Sequence, residues 1–376
     1  MVRVWRNRAL LVWVVIALLV GLAGCRAKEK AAGAGEVPVK YATGFKIERL
    51  EGGGHLLTDG EGRTLLLLPR GQHPPKEYAQ LPRVEIPVER VVVASTTQAA
   101  LLRPLGELAS VVGVTTEKEH WYIPEVKEGM EAGKIRLVGS GMGPLDYEAV
   151  LALKPDLVFL YTGSPDTVQM LKKLEELKIP VAVENSHLEA HPLGRLEWIK
   201  FLAAFYGKLA AAEQYFEAAV KQVEEIQQAV AGVGSRPKVL WGLIYQGKVY
   251  VPAGESYVAK MIEMAGGDYL FKDLQGTGSS TVTLEEFYSR GREAQVFISA
   301  TMPNYGITSI AKLVEQEKRL GDLSVVREGK VWCFQPWYYQ SLDKIVEMIA
   351  DLAAIFHPEV FPKAEIRHHM KLPALD

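Results

Sequence analysis

Only two of the 376 residues are cysteine, Cys25 and Cys333. That scarcity excludes a disulfide-stapled scaffold and a zinc site built on cysteine pairs. An excess of one charge is missing too: 43 Lys and Arg stand against 45 Asp and Glu, a formal net charge of −2, with no basic cluster. A nucleic-acid surface would need such a cluster, so no nucleic-acid partner is expected. No apolar run reaches the roughly twenty residues of a membrane-spanning helix; the run at residues 9–20 stops at twelve. Catalytic signatures are also absent. There is no GxSxG, P-loop, HExxH, CxxC or dinucleotide fingerprint, and no Ser, Cys or His stands in a recognisable nucleophile setting. The glycine-rich stretches at 139–143 and 276–281 lack the lysine of a phosphate cradle and read as turns. Among the eight histidines, His187 and His191 are four apart, but Pro192 interrupts a helix there. No set of three or four converging ligands can be assembled, so no protein-built metal site and no cofactor is assigned.

What is present begins at the N-terminus. Arg3, Arg6 and Arg8 precede the apolar run, and Leu22-Ala23-Gly24-Cys25 follows it. This is the pattern of a secretory signal peptide over residues 1–24. Leu-Ala-Gly-Cys resembles the bacterial lipobox, in which small residues admit the signal peptidase and the thiol, here Cys25, accepts diacylglycerol. An uncleaved anchor with an incidental cysteine is the alternative. Cleavage removes three arginines and takes the net charge from −2 to −5. Cys333 sits in the apolar run Val331-Trp332-Cys333-Phe334 and reads as a small core residue.

Residues 25–40, rich in alanine with mixed charges, read as a flexible tether. Residues 41–89 read as a small antiparallel β-element: alternation at 45–50, turns at 52–54 and 59–62, a strand at 64–68, then a proline-rich connector. From Arg90 strands and helices alternate, which argues an α/β arrangement with mainly parallel sheets. Strands are expected at 90–94, 111–114, 157–161, 181–184, 238–244, 296–299 and 331–334, with helices between them.

The longest element is a helix at 209–230, whose apolar residues Leu209, Ala212, Phe216, Ala219, Val223, Ile226 and Val230 share one face. The halves on either side of it echo one another. Leu145 to Val150 feeds Leu157 to Leu160 before it, and Leu284 to Tyr288 feeds Val296 to Ser299 after it. The chain therefore reads as two Rossmann-like lobes, 90–207 and 233–376, joined by one long α-helix at 208–232. A single stiff crossing permits only small hinge motion, so the apolar stripe should pack across both lobes and the pocket should be largely preformed.

Aromatic residues gather at the ends of the expected strands: Trp121 and Tyr122, Tyr161, Trp241 and Tyr245, and Trp337, Tyr338 and Tyr339. In open α/β sheets ligands bind beyond the carboxyl ends of the strands. One such ring is more often core than contact, but three consecutive aromatics cannot all point inward. Rings in this number suit a large, flat or partly apolar ligand.

With these residues in place the chain resembles the substrate-binding lipoproteins of ABC importers for iron chelates, haem and cobalamin, whose two lobes are joined by one rigid helix. The matching passages are 90–115, 146–161 (DYEAVLALKPDLVFLY), the long helix after Tyr206-Gly207-Lys208, 255–271 (ESYVAKMIEMAGGDYLF), 284–299 and 337–356. The resemblance implies a non-enzymatic, membrane-anchored, monomeric receptor that holds a metal chelate between its lobes. By position it implies ligand contacts at Ser95, Thr96, Trp121, Tyr122, Tyr161, Tyr245, Ser279, Ser280, Trp337 and Tyr338. It also implies one carboxylate per lobe docking on arginines of a membrane permease, which works with an ATPase. Glu285 matches in the second lobe. In the first lobe Arg136 replaces the expected acid, leaving Glu125, Glu128 and Glu131 nearby. The chelate is expected to be a ferric siderophore or haem, with cobalamin the alternative. A Zn or Mn receptor and an exported hydrolase are the rival readings.

Overall fold

The computed structural model describes residues 34–140 and 143–374. The signal peptide, Cys25 and most of the stretch read as tether lie outside the described residues. The chain divides into a unit of residues 1–34 and one of 35–376, and only the second is described below.

Order begins inside the stretch read as tether. Strand β1 (Gly35–Glu36) pairs antiparallel with β2 (Lys46–Arg49), which continues into β3 (His55–Thr58) and β4 (Thr64–Pro69). A fifth strand, β5 (Arg83–Ile86), pairs parallel with β4. It lies within the proline-rich region read as connector, because Val84 and Ile86 alternate with exposed Arg83 and Glu85. The β-element is thus a five-stranded sheet with Ile47, Leu57, Leu65, Leu67, Val84 and Ile86 turned inward.

The first lobe is an all-parallel sheet in the order β10-β9-β6-β7-β8: Val181–Val183, Leu157–Leu160, Val91–Val93, Val111–Val114 and Arg136–Leu137. The runs VVV, VVGV, LVFL and VAV are buried throughout, as expected when helices cover both faces. Gly113 is required by the packing, since a Cβ there would lie 2.9 Å from Leu153 and 3.0 Å from Val92. Several helices that follow strands begin on a capping side chain. Ser95 and Ser164 form capping boxes, and Asp146 accepts the Ala149 N–H.

The second lobe has a parallel centre of β11 (Lys238–Tyr245), β15 (Val296–Ser299) and β16 (Val331–Phe334), with the short β13 (Asp268–Tyr269) parallel beside β11. Antiparallel strands extend it: β12 (Lys248–Pro252) and β14 (Ser279–Val282) from β11, and β17 (His369–Lys371) from β16. β12 turns back from β11 through Gln246 and Gly247, both at positive φ (50° and 74°), the backbone of a tight two-residue hairpin. β14 occupies part of the stretch read as a glycine-rich turn.

The spine runs over Leu209–Ala231, about 35 Å of helix. Leu209, Ala212, Phe216, Ala219, Val223 and Val230 are buried along it, and Ile226 packs half-buried on the core. This stripe meets the first-lobe helix Ile199–Ala204 and the closing helix Ile345–Phe356 of the second lobe, so both lobes share it.

Burial holds four histidines, His55, His187, His191 and His369, below their ordinary 6.5, and His55 and His191 lie at about 4. Between those values the unfolded chain binds more protons than the folded one. Stability is therefore lost as pH falls from 6.5, by up to about 1.4 kcal/mol per pH unit for buried His55 and by less for exposed His187, whose charge water screens. His55, in β3, has no partner for its Nδ1. His55→Gln should flatten the decline of the urea midpoint between pH 7 and 5; an unchanged slope would refute the assignment.

Candidate ligand-binding cleft

The first-lobe sheet reverses its order at β6, and β6, β9 and β10 release Ser95, Tyr161 and the Glu184–His187 turn at their carboxyl ends. The second-lobe strands β11, β15 and β16 end on the opposite side of the same cleft, where Leu243, Ala300 and Phe334 line it. Its volume is about 280 Å³. Trp241 forms part of the floor, Tyr250, Tyr257 and Tyr339 the second-lobe wall, and His187 reaches in from the first lobe. Larger hollows of about 400 and 560 Å³ lie elsewhere, at the spine's end and behind the closing helix, away from these strand ends.

The polar groups of the cleft are few and specific. Burial and then Arg195 hold the His187 imidazole below its usual range, so the ring is a neutral donor and acceptor at pH 7. Arg195, in the helix Pro192–Glu197, lies over the Tyr257 ring with its guanidinium carbon 4.0 Å from the centroid. Its Nε has no hydrogen-bond partner. Behind them Glu184 is fully enclosed. Burial raises its carboxyl above the usual range, partly opposed by Ser186, Arg195 and Gln98. The walls thus combine apolar rings with one imidazole, and the Arg195 guanidinium stacked on Tyr257 adds a positive charge close by, a setting suited to an anionic group attached to a flat or apolar body.

A clasp closes the lobes beside this cleft. The Gln340 side chain donates to the His120 carbonyl at 2.6 Å and accepts the Tyr122 N–H at 2.8 Å. Three residues on, the Asp343 carboxylate accepts both arms of Arg103, Nε at 2.9 Å and Nη2 at 2.6 Å. The Asp343 carbonyl accepts the hydroxyl of Tyr215 on the spine at 2.7 Å. Tyr122 and Trp337 flank the clasp with ring centroids 6.5 Å apart.

Several residues assigned from the sequence take other places. Trp121 does not face ligand: it is 2% exposed and donates its indole N–H to the Thr116 carbonyl. Tyr338 is a second correction, because it is buried with its ring stacked on Phe334 at 4.0 Å. Ser95 caps its helix by accepting the Thr97 N–H, and Thr96 is half-buried in the first turn. Tyr245 stands exposed at the hairpin end of β11, beyond the lining residues. Ser279 lines the cleft, and Ser280 pairs with Val251 in the sheet. Tyr161 lies against His187, ring centroids 5.8 Å apart. Glu285, Glu125, Glu128 and Glu131 are all exposed in helical turns.

Sequence reasoning passed over Arg195, Tyr250 and Tyr257, gathered Tyr339 with the strand-end aromatics without assigning it a contact, and set His187 aside as half of a weak metal pair. The available signal was a lone arginine in the otherwise apolar stretch Pro192-Leu193-Gly194-Arg195-Leu196.

The periplasmic binding protein family model matches residues 91–335. A lipoprotein of Methanocaldococcus jannaschii is 34% identical over 297 residues, 77% of this chain and 70% of that protein. A second lipoprotein of the same organism is 29% identical over 340 residues, 86% of this chain and 83% of that one. Among solved structures, a periplasmic heme-binding protein from Pseudomonas aeruginosa superposes with a TM-score of 0.57 at 21% identity, covering 74% of this chain and 94% of that one. The molybdate-binding protein MolA of Haemophilus influenzae does so with 0.61 at 17%, covering 83% and 94%. At such identities the structures share the fold.

Gln340→Ala removes both of the clasp's bonds to the 120–122 loop while leaving the Asp343 pair. The Tyr122 amide should then exchange with solvent at least tenfold faster, the change expected when a hydrogen bond worth about 1.5 kcal/mol is lost. Unaltered exchange would show that the loop is held by other means.

Proposed function

We propose that this chain, which belongs to the periplasmic binding protein family, is the extracytoplasmic solute-binding lipoprotein of an ABC importer and carries a metal chelate between its lobes. The observation that carries this reading is the inter-lobe cleft itself. Its walls are Trp241, Tyr250, Tyr257 and Tyr339, with neutral His187 at one side and Arg195 stacked on Tyr257 just outside the lining. A chelate brings its own metal donors and needs from the protein only apolar contact and a few polar anchors. A bare ion would need three or four protein ligands, and among the described residues no group of three His, Cys, Asp or Glu converges.

A ferric siderophore or haem fits these walls, with rings against its apolar body and Arg195 against its carboxylate or catecholate oxygens. A second reading, a small oxyanion of the kind MolA binds, is favoured by the cleft's modest volume of about 280 Å³. In either case no bond is made or broken here. Exposed Glu285 in the second lobe and Glu125 or Glu128 in the first would meet arginines of the permease, and ATP would be hydrolysed by its partner subunit.

A titration panel separates the readings. Hemin, ferric siderophores and cobalamin change visible absorbance on binding, whereas molybdate is read by calorimetry. Binding of a chelate at micromolar concentration, weakened about tenfold or more by Arg195→Ala, is the expected result. Tight molybdate binding without chelate binding would favour the second reading, and silence across the panel would remove both. The anchor is tested apart from the ligand: Cys25→Ala should move the protein from the membrane fraction to the soluble fraction. Continued retention would favour an uncleaved anchor.

A further inference from the structure

We propose that the N-terminal β-element positions the ligand cleft, its turn at residues 59–63 fixing the first-lobe wall at His187 and the Tyr161 ring packed against it. Thr162 and Asn185 are the positioning residues. This inference rests on the cleft being the ligand site.

The turn first covers the outer edge of β10, the last strand of the first-lobe sheet. Gly60 donates its N–H to the Val183 carbonyl at 2.9 Å, and the Asp59 carboxylate accepts the Val183 N–H at 3.1 Å. Arg63 donates to the Val181 carbonyl at 3.1 Å and pairs with Asp59. These contacts protect an exposed strand edge and would suffice for that purpose.

A second set of bonds goes further, toward the cleft, and an edge cover does not require it. The Asn185 amide accepts the Thr162 N–H at 2.9 Å and donates to the Thr162 hydroxyl at 2.8 Å and to the Gly60 carbonyl at 3.3 Å. The Thr162 hydroxyl in turn donates to the Glu61 carboxylate. Thr162 and Asn185 are 1% and 3% exposed, so the bonds between them are made away from water, and exposed Glu61 reaches them from the turn. Gly60 is needed for the approach, because a Cβ there would lie 2.9 Å from the Asn185 side chain.

Thr162 is the residue after Tyr161, and Asn185 lies two before His187. The Thr162 backbone faces the His187 imidazole as a hydrogen-bonding group, opposing the effect of its burial. The next residue, Gly163, has φ +139°, and a Cβ on it would approach His187 Nε2 to 3.2 Å. The Tyr161 and His187 rings meet edge to face, 81° apart in plane. One continuous path therefore runs from the β-element through Glu61, Thr162 and Asn185 to His187 on the cleft wall and to Tyr161 beside it. Displacing the turn would leave the first-lobe sheet in place but free this wall.

The test is Thr162→Val in the full chain, which keeps shape and removes the hydroxyl bonds. Three quantities are read: the His187 ring resonance in histidine-labelled protein, the affinity for hemin, and the urea midpoint. The His187 resonance should shift or broaden and hemin binding should weaken about tenfold, with Thr162→Ser restoring both. Glu61→Ala, a surface change, should move the same two readouts in the same direction if Thr162→Val does not fold. A lower urea midpoint with His187 and hemin affinity unchanged would make the network purely structural and overturn the proposal. If the wild-type chain binds neither hemin nor any other chelate, the proposed function falls. The His187 resonance alone then decides: movement supports the positioning role and a fixed resonance overturns it.

Discussion

Asp343 is where the three parts of the molecule meet. Its carboxylate holds Arg103 of the first lobe, and its carbonyl holds Tyr215 of the spine. Asp343 itself belongs to the second lobe, at the entry to the closing helix. A carboxylate this buried is favourable only when its partner is well placed. Burial pushes the Asp343 carboxyl up and Arg103 pulls it back down. The two-pronged contact provides that placement, and removing either partner would leave a charge stranded, typically a loss of about 3–5 kcal/mol. A helix crossing between two lobes sets their separation but leaves rotation about its ends. The Asp343 knot and the adjoining Gln340 clasp remove much of that freedom, so the width of the cleft depends on them.

The same chemistry recurs along the extended segments near both ends of the described chain. Glu197, completely buried, accepts the backbone N–H groups of Lys40, Tyr41 and Ala42 and the ammonium of Lys200. Glu189 accepts those of Thr43 and Gly44, together with the Trp198 indole. Asp351 on the closing helix accepts the N–H groups of Arg367, His368 and His369. Each carboxylate satisfies donors that would otherwise be buried unpaired, a cost of about 1–3 kcal/mol apiece. The segment leading into the β-element and the C-terminal strand are thereby fastened to the lobes, so Lys40, read as the end of a tether, is held against the body.

The legibility of the sequence follows from the range of the forces involved. The spine stripe and the central strands could be read because period and hydrophobicity are local, and β6, β7, β9, β11, β15 and β16 lie where the apolar runs are. The hairpin through Gln246 and Gly247 and strand β14 could not, since exposed Ser279 and Thr281 give no apolar alternation. The carboxyl-end rule leads to the cleft between the lobes, but several of the rings it gathered, Trp121 and Tyr338 among them, lie in the core. Within Trp337-Tyr338-Tyr339, the stacking of Tyr338 on Phe334 decides which ring is lost to the core. Arg195 was hidden for a similar reason, as only the fold brings it to Tyr257 across the lobe boundary.

Rigidity then bears directly on what the cleft can recognise. A receptor that closes widely around a small solute spends part of its binding energy on closure and can adapt its walls to the solute. Here the spine, the Asp343 knot and the β-element network hold the walls before any ligand arrives, so the ordering cost of binding is low. The same rigidity leaves little capacity to reshape the walls. On the proposed function, selectivity would come from the fixed positions of His187 on one side and the tyrosine rings on the other, one of which, Tyr257, lies under Arg195. A rigid ligand with an anionic edge and an apolar face gains from both sets of contacts at once. A flexible ligand would lose conformational freedom with no matching gain from the protein. The receptor's stiffness and the stiffness of its cargo are therefore one requirement, set by how the lobes are tied.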